Sequence, residues 1–418
     1  MNTAKIMLST IALLLTNLVM SQVDDANFLK DYKAPDFKLR QLNVDFSGQG
    51  TGYENQTGIN GDLRFNYQSI LNNQRAQSRH NLYSSNRFYY DEVKDASLYT
   101  NSFTADIRNR YKRRNYTNEK LFYGISDFSS FSIISKYSSD SGYVQDFVDT
   151  ELILNPGLSI GIGRVEFVNY ARQSEDINRM LEKSTFSKTK LTSSQKTKLA
   201  NKIAIIQNRR FFDSRLNRIY QIESIDSVLR DMDIISNYGI QYFTELSDAF
   251  LYSFRNQRLS GDRFEFILSE KIRFNNENRT YAAISYELYL PSSYKVQHDF
   301  EGILIGSYTP KDNINPDETQ IYVNYAYKFG FYPNTRTYLG AYINGSKNLL
   351  KTDFSFNTGV ELSYYISPKF RVNLNGRFVR NEGKTYHIYS NILYNNFTFN
   401  QSIVNTYHFK IGLNYALF

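Results

Sequence analysis

Apolar and polar residues alternate along most of this chain with a period of two, and the alternation is cleanest near its end. In the stretch from Tyr407 to Phe418, the residues Tyr407, Phe409, Ile411, Leu413, Tyr415 and Leu417 share one face of an extended strand, with polar or small residues opposite. A run of that length matches the about 9–11 residues with which a tilted β-strand crosses a bilayer. Phe418 falls one residue out of phase with this series.

The same period predicts strands at Arg263–Phe274, Arg279–Leu290, Val296–Tyr308, Thr319–Phe331, Arg336–Ser346, Asp353–Ile366, Phe370–Arg380, Thr385–Tyr394, Phe397–Ile403 and Tyr407–Phe418. Ile321, Val323, Tyr325, Tyr327, Phe329 and Phe331 form one outward face, and Phe354, Phe356, Thr358, Val360, Leu362 and Tyr364 another. Six earlier segments alternate as well: Arg40–Gly50, Gly58–Leu71, Arg75–Tyr90, Leu98–Lys112, Glu119–Lys136 and Tyr143–Leu154, the third and fifth less cleanly than the others. In the second, Leu63, Phe65 and Tyr67 oppose Asp62, Arg64 and Asn66; in the fourth, Phe103, Ala105, Ile107 and Tyr111 oppose Asp106, Arg108 and Arg110. The fold class is therefore all-β: an antiparallel transmembrane β-barrel of about 16 strands, with 14 possible because the short Phe397–Ile403 strand is the weakest of the series.

Between the two sets the period changes to that of a helix. Val168–Lys183 places Ala171, Ile177, Met180 and Leu181 on one side. Ser193 or Ser194 caps a second helix, in which Leu199, Ile203 and Ile206 recur, followed by Leu216, Ile219, Ile222, Ile225 and Leu229. Ser236–Gln257 reads equally as the last helix of the insert or as the next strand. Turn parity fixes the side. Pro291-Ser292-Ser293, Pro333-Asn334 and Ser367-Pro368 are tight turns two strands apart, so they share one end, and short turns identify it as periplasmic. Counting back two strands from Pro291 puts Gly261, and with it the helical insert, on that same end. The organisation expected is a signal peptide (1–21), a periplasmic lead-in (22–39), first strands (40–154), a helical insert with flanking segments (155–260) and the remaining strands (261–418).

The start of the chain supports export. Lys5 precedes the apolar run Ile6–Met20, and Ser21 offers a small residue at the cleavage position. Composition agrees with a barrel. Tyr and Phe supply all of the 16% aromatic content, suited to interfacial girdles, and a mean hydropathy of −0.49 excludes a helical membrane protein but not a polar-lumen barrel. There is no Cys, hence no disulfide and no thiolate metal site. A formal charge of +8 without a dense Lys/Arg block, on an exported chain, points away from nucleic acid.

Little in the chain carries chemistry. Of the four histidines, His80, His298, His387 and His408, only His298 has a local acidic neighbour, Asp299, and no Ser-His-Asp pattern can be placed. Gly48–Gly52 and Gly161-Ile162-Gly163 are too short for phosphate loops. No cofactor is expected. Two features point to binding or transport. Arg209, Arg210, Phe211, Phe212 and Arg215 lie between two helical runs, basic and aromatic together, as a partner-docking site would be. Arg64, Arg108, Arg110, Lys271, Arg273, Lys328, Arg336, Arg371, Arg377 and Lys410 have lumen parity, set against Asp62, Asp106, Glu265, Asp353 and Glu361. Such charges tune selectivity in an open barrel or tie neighbouring strands in a plugged one.

With the strand series in hand, the chain resembles a Gram-negative outer-membrane β-barrel of the Bacteroidota type. The terminal Tyr415-Ala416-Leu417-Phe418, the Tyr364-Tyr365-Ile366-Ser367-Pro368 turn and the Ser21-Gln22 junction carry the likeness. The resemblance implies an outer-membrane location, contact with outer-membrane lipid, and recognition by the barrel assembly machinery through Tyr415, Leu417 and Phe418. It names no activity. Two functions compete: an anchor or accessory subunit of an envelope assembly that binds a periplasmic protein through the insert, and a porin-like channel for small, preferentially anionic solutes. A barrel hydrolase is a third, without a constellation to support it.

Overall fold

The computed structural model describes residues 23–53, 56–93, 98–140, 143–183, 186–187, 189–209, 214–236, 238–253, 258–273, 278–310, 318–367, 370–382 and 404–415. A short helix α1 (Val23–Asp31) leads into strands β1 (Phe37–Tyr53), β2 (Gln56–Asn72), β3 (Ala76–Val93), β4 (Leu98–Tyr116), β5 (Leu121–Asp140), β6 (Tyr143–Leu154) and β7 (Pro156–Phe167). Four helices follow: α2 (Asn169–Lys183), α3 (Ser193–Asn208), α4 (Ser214–Asp231) and α5 (Ile240–Ser253). The chain then returns to β8 (Leu259–Arg273), β9 (Arg279–Ser293), β10 (Val296–Thr309), β11 (Glu318–Phe331), β12 (Thr337–Asn348), β13 (Phe354–Ser367), β14 (Phe370–Glu382) and β15 (Val404–Tyr415).

These strands form one antiparallel sheet in sequence order, the wall of a β-barrel. β6 and β7 act as a single strand. The pairing with β5 passes from Ser130↔Ile153 to Asp127↔Pro156, and that with β8 from Ile153↔Arg273 to Gly157↔Ser269, without a change of register. Only Asn155 interrupts it, because Pro156 has no N–H to give the ladder. The described strands thus fill fourteen ladder positions; the two further strands of the expected sixteen, at 385–394 and 397–403, lie outside the described residues. The segment expected to flank the insert from residue 155 belongs to the wall. Residues 156–167 are strand, since Leu158, Ile160 and Ile162 continue the outward apolar series past the proline.

The faces are inverted relative to a water-soluble protein. Large apolar side chains such as Phe46, Leu158, Phe266, Leu304, Val360 and Phe409 are exposed on the outer wall, while Arg263, Glu265, Ser285, Glu287 and Asn324 are buried on the inner one. Lipid is the solvent that makes this arrangement stable, and the paired ladder leaves few backbone groups for lipid to meet. Among the described residues no helix is long and apolar enough to cross a membrane.

All four helices after β7 sit at the end of the barrel that carries the short turns at 73–75, 294–295 and 332–336, as turn parity requires. They share one apolar core with α1 and with the barrel wall. Leu199, Ile203, Ile206, Ile225, Leu229, Tyr242, Leu246 and Phe250 pack with Leu29 and with Phe37 and Ile70 of β1 and β2. Residues 236–257, ambiguous by sequence, contain the helix α5.

Candidate functional site at the capped mouth

Helix α2 is the centre of the cap and is buried along most of its length, its polar side included. Gln173 Nε2 donates to the Phe250 carbonyl of α5 (2.8 Å), and Ser174 Oγ to the Lys196 carbonyl of α3 (2.8 Å). Glu175 pairs with Lys196 at 2.7 Å and with Arg179 at 3.2 Å. Helix α3 begins with a capping box in which the Thr192 hydroxyl accepts from Gln195 N–H, and the Gln195 side chain accepts from Thr192 N–H. The cap residue is therefore Thr192, one position before the expected Ser193 or Ser194, because Gln195 lies at the spacing the reciprocal bond needs. Tyr242 of α5 donates to Asp226 of α4 (2.9 Å), and burial, reinforced by that carboxylate, holds its hydroxyl protonated well above the usual tyrosine range.

Arginines fasten this cap to the barrel. Arg258, fully buried between α5 and β8, donates to the carbonyls of Ser293 (3.0 Å), Tyr294 (2.5 Å) and Val296 (2.9 Å) and to Gln297 Oε1 (3.2 Å) in the β9–β10 turn. Its own N–H donates to Asn169 Oδ1 at the start of α2 (2.7 Å). Burial, then the neighbouring Arg172, push its pKa down to about 10. Arg172 lies over the Tyr332 ring (4.3 Å to its centre) and Arg179 over Tyr294 (3.8 Å). Arg336 pairs with Asp248 of α5 at 2.5 Å while covering Tyr252 (4.3 Å). The lead-in contributes Tyr32, whose hydroxyl donates to Asn201 of α3 (3.2 Å), and Phe28 beneath Lys196 (5.7 Å).

Of the expected partner-docking residues, Arg209 and Arg215 are described, and both are exposed on the cap. Arg209 is exposed at the end of α3 and stacks over Tyr220 of α4 (4.4 Å); Arg215 is exposed at the start of α4. Arg210, Phe211 and Phe212 lie outside the described residues, as do Leu417 and Phe418 of the terminal signal and the side chain of Tyr415.

The lumen charges are mostly paired. Arg64 meets Asp62, Arg108 meets Asp106 (2.5 Å), and Lys328 meets Glu361 (2.7 Å). Arg110 lies over the Phe128 ring (5.1 Å), Arg371 donates to the Tyr365 hydroxyl (3.2 Å), and Lys271 and Arg377 are half-buried on the inner wall. Arg336 is not a lumen residue: it stands in the turn before β12, where Asp248 draws it to the cap. The side chains of Arg273 and Lys410 lie outside the described residues. His298 and Asp299 do not form a pair. His298 points outward, its Nδ1 2.8 Å from the Tyr327 hydroxyl, while Asp299 accepts inside from Gln297.

Sequence reasoning missed the main charge cluster of the lumen. Glu265 of β8 takes Lys112 and Arg114 of β4, each at 2.8 Å, and Arg263 pairs with Glu287 of β9. The first contact spans two intervening strands, past Gly161, whose missing side chain leaves room for the Phe122 ring: a Cβ there would stand 2.4 Å from that ring and from the Phe264 carbonyl oxygen. The signal available was Arg114, but ending the fourth strand at Lys112 left it in a loop.

The arrangement defines a class: a transmembrane β-barrel whose short-turn mouth carries a fastened helical cap. No family model matches the chain, and no curated protein matches it. Among solved structures it is similar to the translocator domain of autotransporter NalP from Neisseria meningitidis (7% identity, 98% of each chain, TM-score 0.28). It is also similar to CdiB from Acinetobacter baumannii (7% identity, 91% of this chain and 59% of that one, TM-score 0.35). A third is the CymD monoaromatic hydrocarbon channel (8% identity, 86% of this chain and 87% of that one, TM-score 0.28). The fold assignment rests on this chain's own ladder and lipid-facing belt.

Proposed function

We propose that this protein is an outer-membrane anchor or accessory subunit of an envelope assembly, holding its helical cap in the periplasm for a protein partner. The observation that carries the reading is the contrast between the two sides of the cap. One side is fastened to the barrel by Arg258, Arg172, Arg179 and Arg336. The other leaves Ile205, Leu216 and Ile219 about half exposed or more (62%, 51% and 48%) beside the cations Arg209 and Arg215. Apolar groups rimmed by arginine are a common composition of binding hot spots. Replacing Ile205 and Ile219 with Glu should release co-purifying periplasmic proteins while the barrel stays folded, as judged by a gel mobility that still shifts on boiling. Unchanged co-purification would sink the proposal.

The porin-like alternative draws on the lumen cations, of which the Arg64 and Arg108 side chains remain part-exposed (48% and 39%). It requires steady single-channel conductance with anion preference from the intact protein, and a silent bilayer would remove it.

A further inference from the structure

The apolar belt of the outer wall is broken on β3, β4 and β5. His80, Asn109, Asp127 and Ser129 have the same parity as the exposed Leu82, Ile107, Tyr123 and Ile125, so all four face lipid. They form a continuous chain: His80 Nε2 lies 2.7 Å from Asn109 Oδ1, Asn109 Nδ2 donates to Asp127 Oδ2 (2.7 Å), and Ser129 Oγ donates to the same oxygen (3.0 Å). Asn109 Nδ2 is committed to Asp127, so its Oδ1 faces His80 and accepts the proton of that contact from Nε2. Tyr67 and Tyr111 hold the imidazole edge-on at 5.8 and 5.9 Å between ring centres.

The chain runs from the short-turn edge of the belt at His80 to its middle at Asp127. On β5 itself Leu121, Tyr123 and Ile125 lie outward on one side of Asp127, and Phe131 and Ile133 on the other. Across the pairing with β7, Asp127 faces Pro156, itself flanked by Leu154 and Leu158. An ionisable group at such depth is unfavourable against acyl chains, and in a membrane protein it marks a site by default. Lipid headgroups sit at the edges of the belt and do not reach its centre.

We infer that this face of β3–β5 is the contact between two copies of the barrel. The patch is complementary to itself at its centre, because the Asn109 carboxamide keeps one N–H and one lone pair beyond its bonds to Asp127 and His80. A two-fold axis along the bilayer normal keeps every group at its own depth and sets Asn109 of one copy against Asn109 of the other. Two copies of one chain also lie at the same depth in one bilayer, so the polar groups meet without any adjustment of height. Leu82, Ile107 and Phe131 supply an apolar rim around them.

The absence of cysteine makes the test direct. A lone cysteine can form a disulfide only with a second copy. Oxidation of membranes carrying Ile107→Cys should yield a crosslinked band of twice the chain mass, whereas Ile284→Cys, on the belt of β9, should yield none. In parallel, the combined variant His80→Leu, Asn109→Leu, Asp127→Leu should run as a monomer in mild detergent where the unaltered protein runs as a dimer. The inference is overturned if Ile107→Cys crosslinks no more than Ile284→Cys, if its adduct has the mass of a different protein, or if the Leu variant stays dimeric.

Discussion

Removing Arg258 tests whether the cap is fastened or merely adjacent. Arg258→Met keeps length and bulk but takes away every donor. The carbonyls of Ser293, Tyr294 and Val296 then lose their partner in a buried turn, together with Gln297 Oε1. Buried acceptors left unsatisfied cost about 1–3 kcal/mol each, so three carbonyls lose about 5 kcal/mol. Against this stands the guanidinium's own burial, which lowers its pKa to about 10. Relief of that burial returns about 3 kcal/mol, at about 1.4 kcal/mol per pKa unit. The remainder, about 2 kcal/mol, corresponds to a cap that opens about 30 times more often. Amide hydrogen exchange should report it as a roughly 30-fold loss of protection in α2 and the 293–297 turn, with the strands of the barrel unchanged. Arg258→Lys should fall between, since one ammonium on a flexible stem cannot reach four acceptors in fixed positions. Unaltered protection in the Met variant would refute the reasoning, as would simultaneous loss of cap and barrel.

Other consequences are simpler. Glu265→Gln leaves the buried Arg114 and the part-exposed Lys112 without their shared carboxylate, which should cost about 3 kcal/mol and lower the temperature at which the folded gel band disappears. Gly161→Ala forces a methyl against the Phe264 carbonyl and should cost about 1–3 kcal/mol in the same assay, whereas Gly376→Ala, with its nearest neighbour 3.8 Å away, should be nearly neutral. Cysteine in place of the exposed Lys190 should react with a membrane-impermeant reagent only after the outer membrane is permeabilised, and cysteine in place of Leu350 should react on whole cells; the reverse would overturn the assignment of the two ends.

The barrel was legible wherever one face of a strand meets lipid, because that solvent demands an unbroken apolar series: Leu63, Phe65 and Tyr67, or Leu304 and its neighbours, stand out by alternation alone. The helices were legible where Leu199, Ile203 and Ile206 build a core stripe. What packs the two together was not. Arg258 follows no periodic pattern and acts through main-chain carbonyls, which any sequence provides. Pro156 looked like the end of a strand, yet a single missing N–H removes only one rung when the register on both sides is already held by β5 and β8. Arg336 had lumen parity, but its partner Asp248 comes from a helix 88 residues away in sequence.

The polar patch was visible as a blemish. The outward face of the fourth strand reads Phe103, Ala105, Ile107, then Asn109, then Tyr111, and the fifth strand alternates poorly because Asp127 and Ser129 sit where lipid asks for apolar groups. A blemish retained at mid-belt should lower the stability of the isolated barrel, which gives a last prediction. Asp127→Leu alone should help little, since Asn109 Nδ2 and Ser129 Oγ lose their acceptor in the same step. Changing His80, Asn109 and Asp127 to Leu and Ser129 to Val removes donors and acceptors together and restores the series from Leu121 to Ile133. Under dilute detergent conditions that keep the unaltered protein monomeric, this variant should therefore unfold later, by about 1–3 kcal/mol. A protein that associates through the patch gives up that much as a monomer, a familiar trade of stability against function. If the fourfold variant instead unfolds earlier than the unaltered monomer, the chain is holding the barrel wall together, and its place on the lipid face has to be explained by structure within one copy.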